Sequence, residues 1–175
     1  MDLISILLIG ISLSMDAFSL SLAYSSRGIR NNDIIKISFC VGLFHFFMPL
    51  LGSVLGGIIL DIIKIQPELL TLIILSIIGL EMIESSFKKN NKTEIYALEI
   101  FAFALAVSID SFSVGIALTS AMSNILKCGF IFSITSLSFT FFGLKIGKIV
   151  SKLIGNFANL LGGIILIILG ISYIL

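Results

Sequence analysis

Six stretches of this 175-residue chain are apolar for close to the length of a membrane crossing, and nothing else in the sequence constrains the fold as strongly. An α-helix rises 1.5 Å per residue, so ~20 apolar residues carry a chain across a hydrocarbon core of ~30 Å. With boundaries soft by a turn, the stretches lie near Leu3–Ala23, Ile34–Ile59, Glu68–Ile83, Ala97–Leu118, Ile125–Ile146 and Gly155–Leu175. Hydrophobic residues make up 58% of the chain and charged residues 12%, about half the charge of an ordinary soluble domain. Backbone groups in hydrocarbon must bond within their own segment, so each stretch is expected to be a helix. The sequence therefore predicts an all-α integral membrane protein of six transmembrane helices in a single membrane domain, residues 1–175. The opening MDLIS has no basic run before the first apolar stretch, which argues against a cleaved signal.

Charge placement sets the expected orientation, because basic residues collect on the cytoplasmic side. Arg27, Arg30, Lys36, Lys88, Lys89, Lys92, Lys145, Lys148 and Lys152 fall in the first, third and fifth connections, whereas Lys64 and Lys127 alone fall on the opposite face. Both termini are thus expected outside, with loops 24–36, 85–95 and 147–154 cytoplasmic. Glu81 and Glu84, beside Lys88 and Lys89, read as interfacial anchors more readily than as an ion-entry vestibule.

The chain also repeats itself. LSMDAFSLSLAY at 13–24 parallels VSIDSFSVGIAL at 107–118: Ser14, Asp16, Phe18, Ser19 and Ala23 match Ser108, Asp110, Phe112, Ser113 and Ala117, each 94 positions on. Gly52 and Gly56 correspond to Gly143 and Gly147 at an offset of 91, and Gly79 to Gly170 at the same offset. A repeat of three spans returns upside down, since an odd number of crossings reverses the chain. Repeat one (1–84) and repeat two (96–175), joined by a cytoplasmic loop (85–95), therefore form an expected inverted pair, an architecture of transporters with the substrate site near the midplane.

Asp16 and Asp110 are the most informative residues. Each lies thirteen positions into its span, ~20 Å along the helix, so the two approach the middle of the bilayer from opposite sides. An aspartate at a helix centre costs ~2.5–3.5 kcal/mol on insertion, which a purely structural residue such as Asn or Ser would avoid. Neither the first nor the fourth span holds a Lys or Arg to neutralise them. Two carboxylates without a fixed cation suit a mobile divalent cation, protons, or both; the blander alternative is a hydrogen-bonded pair with one Asp protonated. Ser12 and Ser19 share the face of Asp16, and Ser113 that of Asp110. Ser133, Thr135, Ser136, Ser138 and Thr140 add hydroxyls in the fifth span, although serines pack membrane helices just as often.

In GLFHFFMPLLG, Pro49 is expected to kink the second helix and free a carbonyl near His45. His45, the single histidine, reads equally as a ligand and as a core residue bonded to the backbone. Met15 and Met48 read as packing, and Cys40 and Cys128, with no CxxC spacing, as small apolar residues. The small-xxx-small pairs Gly52/Gly56 and Gly143/Gly147 point to close packing of helices two and five or their neighbours. GLKIGK has three residues between its glycines where a Walker motif needs four, and no other nucleotide signal occurs. Nor is there a nucleophile–base pair, a cofactor fingerprint or a nucleic-acid motif, so neither enzyme nor cofactor nor nucleic-acid partner is expected.

With SMDAF in the first span, SIDSFSVGIAL in the fourth and HFFMPLLG in the second, the whole chain resembles the MntP-type manganese efflux pump family, including the related sporulation membrane protein YtaF. The resemblance implies a bacterial cell-membrane protein that exports Mn2+, with Asp16 and Asp110 handling the cation. Carboxylate, hydroxyl and carbonyl ligands suit a hard dication, and one imidazole tilts the choice from Mg2+ toward Mn2+. Expelling a dication against 100 mV costs ~4.6 kcal/mol, so proton-coupled antiport by alternating access is the expected mechanism. Two other readings stand beside it: an exporter of amino acids or small organic solutes, since the three-helix plan also looks like LysE-type exporters, and a non-transporting sporulation scaffold. The glycine-rich faces permit a homodimer without requiring one.

Overall fold

The computed structural model describes residues 3–62, 67–87, 95–118, 125–154 and 156–172. Among them, the regular structure is helical: α1 (Leu3–Tyr24), α2 (Asn31–Ile62), α3 (Pro67–Phe87), α4 (Ala97–Leu118), α5 (Ile125–Ile154) and α6 (Asn156–Ser172), with one 3-10 turn at Ser25–Arg27. Among the described residues, four segments are long and apolar enough to cross a membrane, namely Leu3–Arg27, Asn31–Leu55, Ala97–Ile116 and Ile125–Leu153; Leu160–Ser172 is a shorter apolar helix. Lys64, Lys88, Lys89 and Lys92 lie outside the described residues.

Local chemistry explains the ends. The turn after α1 closes on Gly28, whose φ of 78° is left-handed and strains any residue with a Cβ. The backbone then enters α2 with Asp33 in its first turn, where a carboxylate meets the positive end of the helix dipole. Arg30 Nε donates to Asp33 Oδ2 at 3.2 Å and fixes that entry. Pro67 opens α3, a place where its missing N–H loses nothing. Two expectations are corrected: residues 31–36 of the expected loop 24–36 are the first turns of α2, and residues 147–154 are not a loop but the last turns of α5. No Pro or turn signal interrupts them, and Gly147 packs against Leu22 and Ser25, which holds the segment helical. α2 likewise continues as helix through Pro49.

α1 runs along α5, α2 along α4, α3 along α6, and α2 also along α5. Glycines make these approaches close. A Cβ on Gly143 would stand 2.7 Å from the Phe18 carbonyl oxygen of α1, and one on Gly52 would collide with the Phe112 carbonyl oxygen of α4. Gly52 of α2 thus approaches α4, and Gly143 and Gly147 of α5 approach α1. Gly56 lies in α2, but its surroundings fall outside what is described. On the third pair, a Cβ on Gly79 would stand 2.7 Å from the Gly163 carbonyl oxygen. Ala17, Leu20, Tyr24, Ile37, Val41, Leu75, Met82, Phe103, Leu144 and Leu166 build the core. Phe39, Phe47, Phe130, Ile134, Phe142 and Ile168 point outward and exposed, an unfavourable surface in water and the required one in lipid.

Candidate functional site

The site is set by how α1 meets α4. Tyr24 stacks on Phe103 with ring centroids 4.4 Å apart, and its hydroxyl donates to Glu99 Oε1 at 2.7 Å. Arg27, in the 3-10 turn that follows α1, also pairs with Glu99, further back along α4. Residues late in α1 thus meet residues early in α4, so the two helices run antiparallel here. Arg27 lies eleven residues after Asp16, and Glu99 eleven before Asp110, which brings the two aspartates level. Asp16 is also close enough to Asp110 for their charges to interact.

Asp16 and Ser19 line a cavity of about 250 Å³ with Leu20 and with Leu169 and Ser172 near the end of α6. Asp110 is half-buried; its Oδ1 accepts the Ser111 backbone N–H at 2.7 Å and lies 3.5 Å from the Ser111 hydroxyl. Charge on one carboxylate therefore faces open volume, while the other is held against its own backbone.

The remaining hydroxyls largely serve their own helices. Ser19 donates to the Met15 carbonyl and Ser12 to the Leu8 carbonyl, each at 3.0 Å. That bond satisfies a hydroxyl in an apolar setting and leaves its lone pairs available. Ser12 and Ser113 are exposed. In the core, Ser14 bonds the Gly10 carbonyl at 2.6 Å and lies 3.3 Å from the Ser136 hydroxyl of α5. His45 is wholly buried, with Nδ1 3.0 Å from its own helix's Val41 carbonyl and Nε2 without a hydrogen-bond partner. The structure thus brings Asp16, Ser19 and Asp110 to one region, and ties Ser12, Ser19 and His45 to their own backbones. Among the described residues, no three His, Cys, Asp or Glu side chains converge. Cys40 and Cys128 are free thiols.

Three residues of this region escape a reading of the sequence: Arg27, Glu99 and Tyr24. Arg27 looks like a solvated loop charge, yet its side chain is 1% exposed, and that of Glu99 is 12% exposed. A Glu two residues into an apolar span was the available signal, but its partner lies 72 residues away and carries no local mark.

Long apolar helices with outward-facing apolar side chains define an α-helical membrane protein. The family described as "Putative manganese efflux pump" matches residues 28–174, and the chain belongs to that family. Its relatives include proteins named "Putative manganese efflux pump MntP" from Bacillus pumilus and Bacillus licheniformis. The first is 34% identical over 98% of this chain and 94% of its own length, the second 31% over 99% and 95%. A third of the same name, from Halalkalibacterium halodurans, is 32% identical over 99% of this chain and 97% of its own length. No solved structure matches.

Proposed function

We propose that this chain is a secondary transporter that exports Mn2+ from the cytoplasm through the Asp16–Asp110 pair. The observation that carries the reading is the placement of these carboxylates: matched positions of a sequence repeat, level on antiparallel helices, one of them lining a 250 Å³ cavity. Membership of a family described as manganese efflux pumps supports the cargo. A dication between two carboxylates completes its oxygen shell from Ser19, backbone carbonyls and water, a donor set suited to Mn2+, Mg2+ and Ca2+. Selection for Mn2+ among these rests on the family.

The proposed architecture is six spans in two inverted repeats, with termini outside. Corresponding contacts support it: Gly143 on the Phe18 carbonyl and Gly52 on the Phe112 carbonyl are related by the offsets of 91 and 94 that relate the repeats. In this reading one repeat rocks against the other, exposing the aspartates alternately to each side. Protons supply the energy. Moving a dication out against 100 mV costs ~4.6 kcal/mol, and two carboxylates that exchange the metal for protons outside return with their charge neutralised. The test is Mn2+ movement in proteoliposomes with and without an imposed pH gradient. Transport accelerated by a proton gradient opposed to the metal flux supports the coupling; transport indifferent to it removes the coupling and leaves a facilitated pathway.

A further inference from the structure

Arg27 and Glu99 sit eleven residues, ~16 Å, from the aspartate pair, and Tyr24 eight residues from Asp16, at the end of the protein that carries Arg30, Lys36 and Lys148. Each repeat contributes one side of the contact. Arg27 and Tyr24 come from the end of α1 and its following turn, Glu99 and Phe103 from the start of α4. The guanidinium also lies 5.6 Å from the centre of the Tyr24 ring, so cation, carboxylate and two stacked rings form one plug. At the opposite end the repeat offers nothing equivalent: the position 94 before Glu99 is Ser5, and the position 94 after Arg27 is Ala121. The cavity beside Asp16 instead involves Leu169 and Ser172, toward the far end of α6.

We propose that Arg27, Glu99 and Tyr24 form a latch that shuts the route between the aspartate pair and the basic end of the protein, and that it parts whenever an ion enters from that end. The proposal rests on the transport reading above. The physics is that of a buried ion pair. Arg27 opposes a passing dication by its charge, and Glu99 makes that charge tolerable in a dry setting. Because the partners belong to different repeats, a rigid movement of one repeat against the other separates them together. Once separated from Arg27, Glu99 is not stranded: it already borders a second cleft of about 360 Å³, shared with Ile74, Ile78, Tyr96 and Ala102 between α3 and α4. Its freed carboxylate is then available to a dication arriving from the basic end.

The experiment reads access to Val107, which is buried on α4 between Phe103 and Asp110. Val107→Cys is placed in a Cys40→Ala/Cys128→Ala background and labelled with a membrane-impermeant thiol reagent in inverted vesicles. Labelling is slow while the latch is intact. Glu99→Gln removes the carboxylate charge that pairs with Arg27, and labelling accelerates by about tenfold or more. Exchanging the partners, Arg27→Glu with Glu99→Arg, restores slow labelling, which a merely destabilised protein would not show. Should Glu99→Gln fail to insert, Tyr24→Phe removes one hydrogen bond to the same carboxylate and raises labelling by about tenfold. Unchanged labelling in the inserted single variants, or an exchanged pair as open as Glu99→Gln, overturns the latch. The label needs no transported ion, so a latch that responds in a protein that moves no Mn2+ supports this inference and refutes the cargo alone.

Discussion

Replacing Gly143 by alanine tests the helix packing on which the site depends. The added Cβ would stand 2.7 Å from the Phe18 carbonyl oxygen, 3.1 Å from the Ser21 Cβ and 3.3 Å from the Phe18 Cα. Two of these neighbours are backbone atoms, which cannot rotate away, so α1 and α5 must separate by about 0.6 Å to restore contact distance. A gap of that size forfeits a quarter or more of the dispersion energy along the seam, and overpacking of this kind costs about 1–3 kcal/mol. The upper end applies, about 3 kcal/mol, because the obstacle is backbone; alanine's helix propensity returns about 1 kcal/mol. The net loss is about 2 kcal/mol, or about 4–8 °C in Tm for a chain of this length. Gly170→Ala is the control: its Cβ would meet Leu75 and Leu72 atoms at 3.3–3.4 Å, so strain and propensity nearly cancel and Tm stays within about 2 °C. The assay is the monodisperse fraction of detergent-purified protein after heating through a temperature series. Equal Tm values for Gly143→Ala and wild type, or equal losses in both variants, would refute the backbone-contact reasoning.

Three further outcomes are expected. Tyr24→Phe removes a 2.7 Å bond to the Glu99 carboxylate and lowers stability by about 1.5–3 kcal/mol, measured by the same heating series. Mn2+ at a hundred times its dissociation constant stabilises wild type by about 2.7 kcal/mol and leaves Asp110→Asn unshifted, a comparison read as Tm with and without metal. Asn31→Ala removes the exposed bond from Lys148 Nζ at 2.8 Å and changes stability by less than about 0.5 kcal/mol.

The helices and the carboxylate pair were legible because both are written locally. An apolar run announces a helix, and Asp16 and Asp110 stand out where charge is costly. The repeat marks them as corresponding positions, since SxD[AS]FS recurs at one offset. Partners across space were less legible. Gly52 and Gly143 signalled close approach, but not that α4 and α1 are the helices approached. Arg27 and Glu99 carry no mutual signal over 72 residues, and a basic residue at a span's end is ordinarily solvated, so their burial appears only in the fold. His45 shows the converse: chemistry visible in the sequence, one ring nitrogen bound to the Val41 carbonyl in the structure. The length of α5 was underestimated because Lys145, Lys148 and Lys152 look like a loop, although helix geometry lets lysines lie along one edge while Gly147 faces α1.

The decisive measurement is intracellular manganese in an exporter-deficient bacterium expressing wild type, Asp16→Asn or Asp110→Asn at equal membrane levels. Wild type is expected to lower the metal, and both variants to leave it at the level of the empty strain. Export undiminished in either variant, or an inserted wild-type protein that lowers nothing, would contradict transport through the paired aspartates.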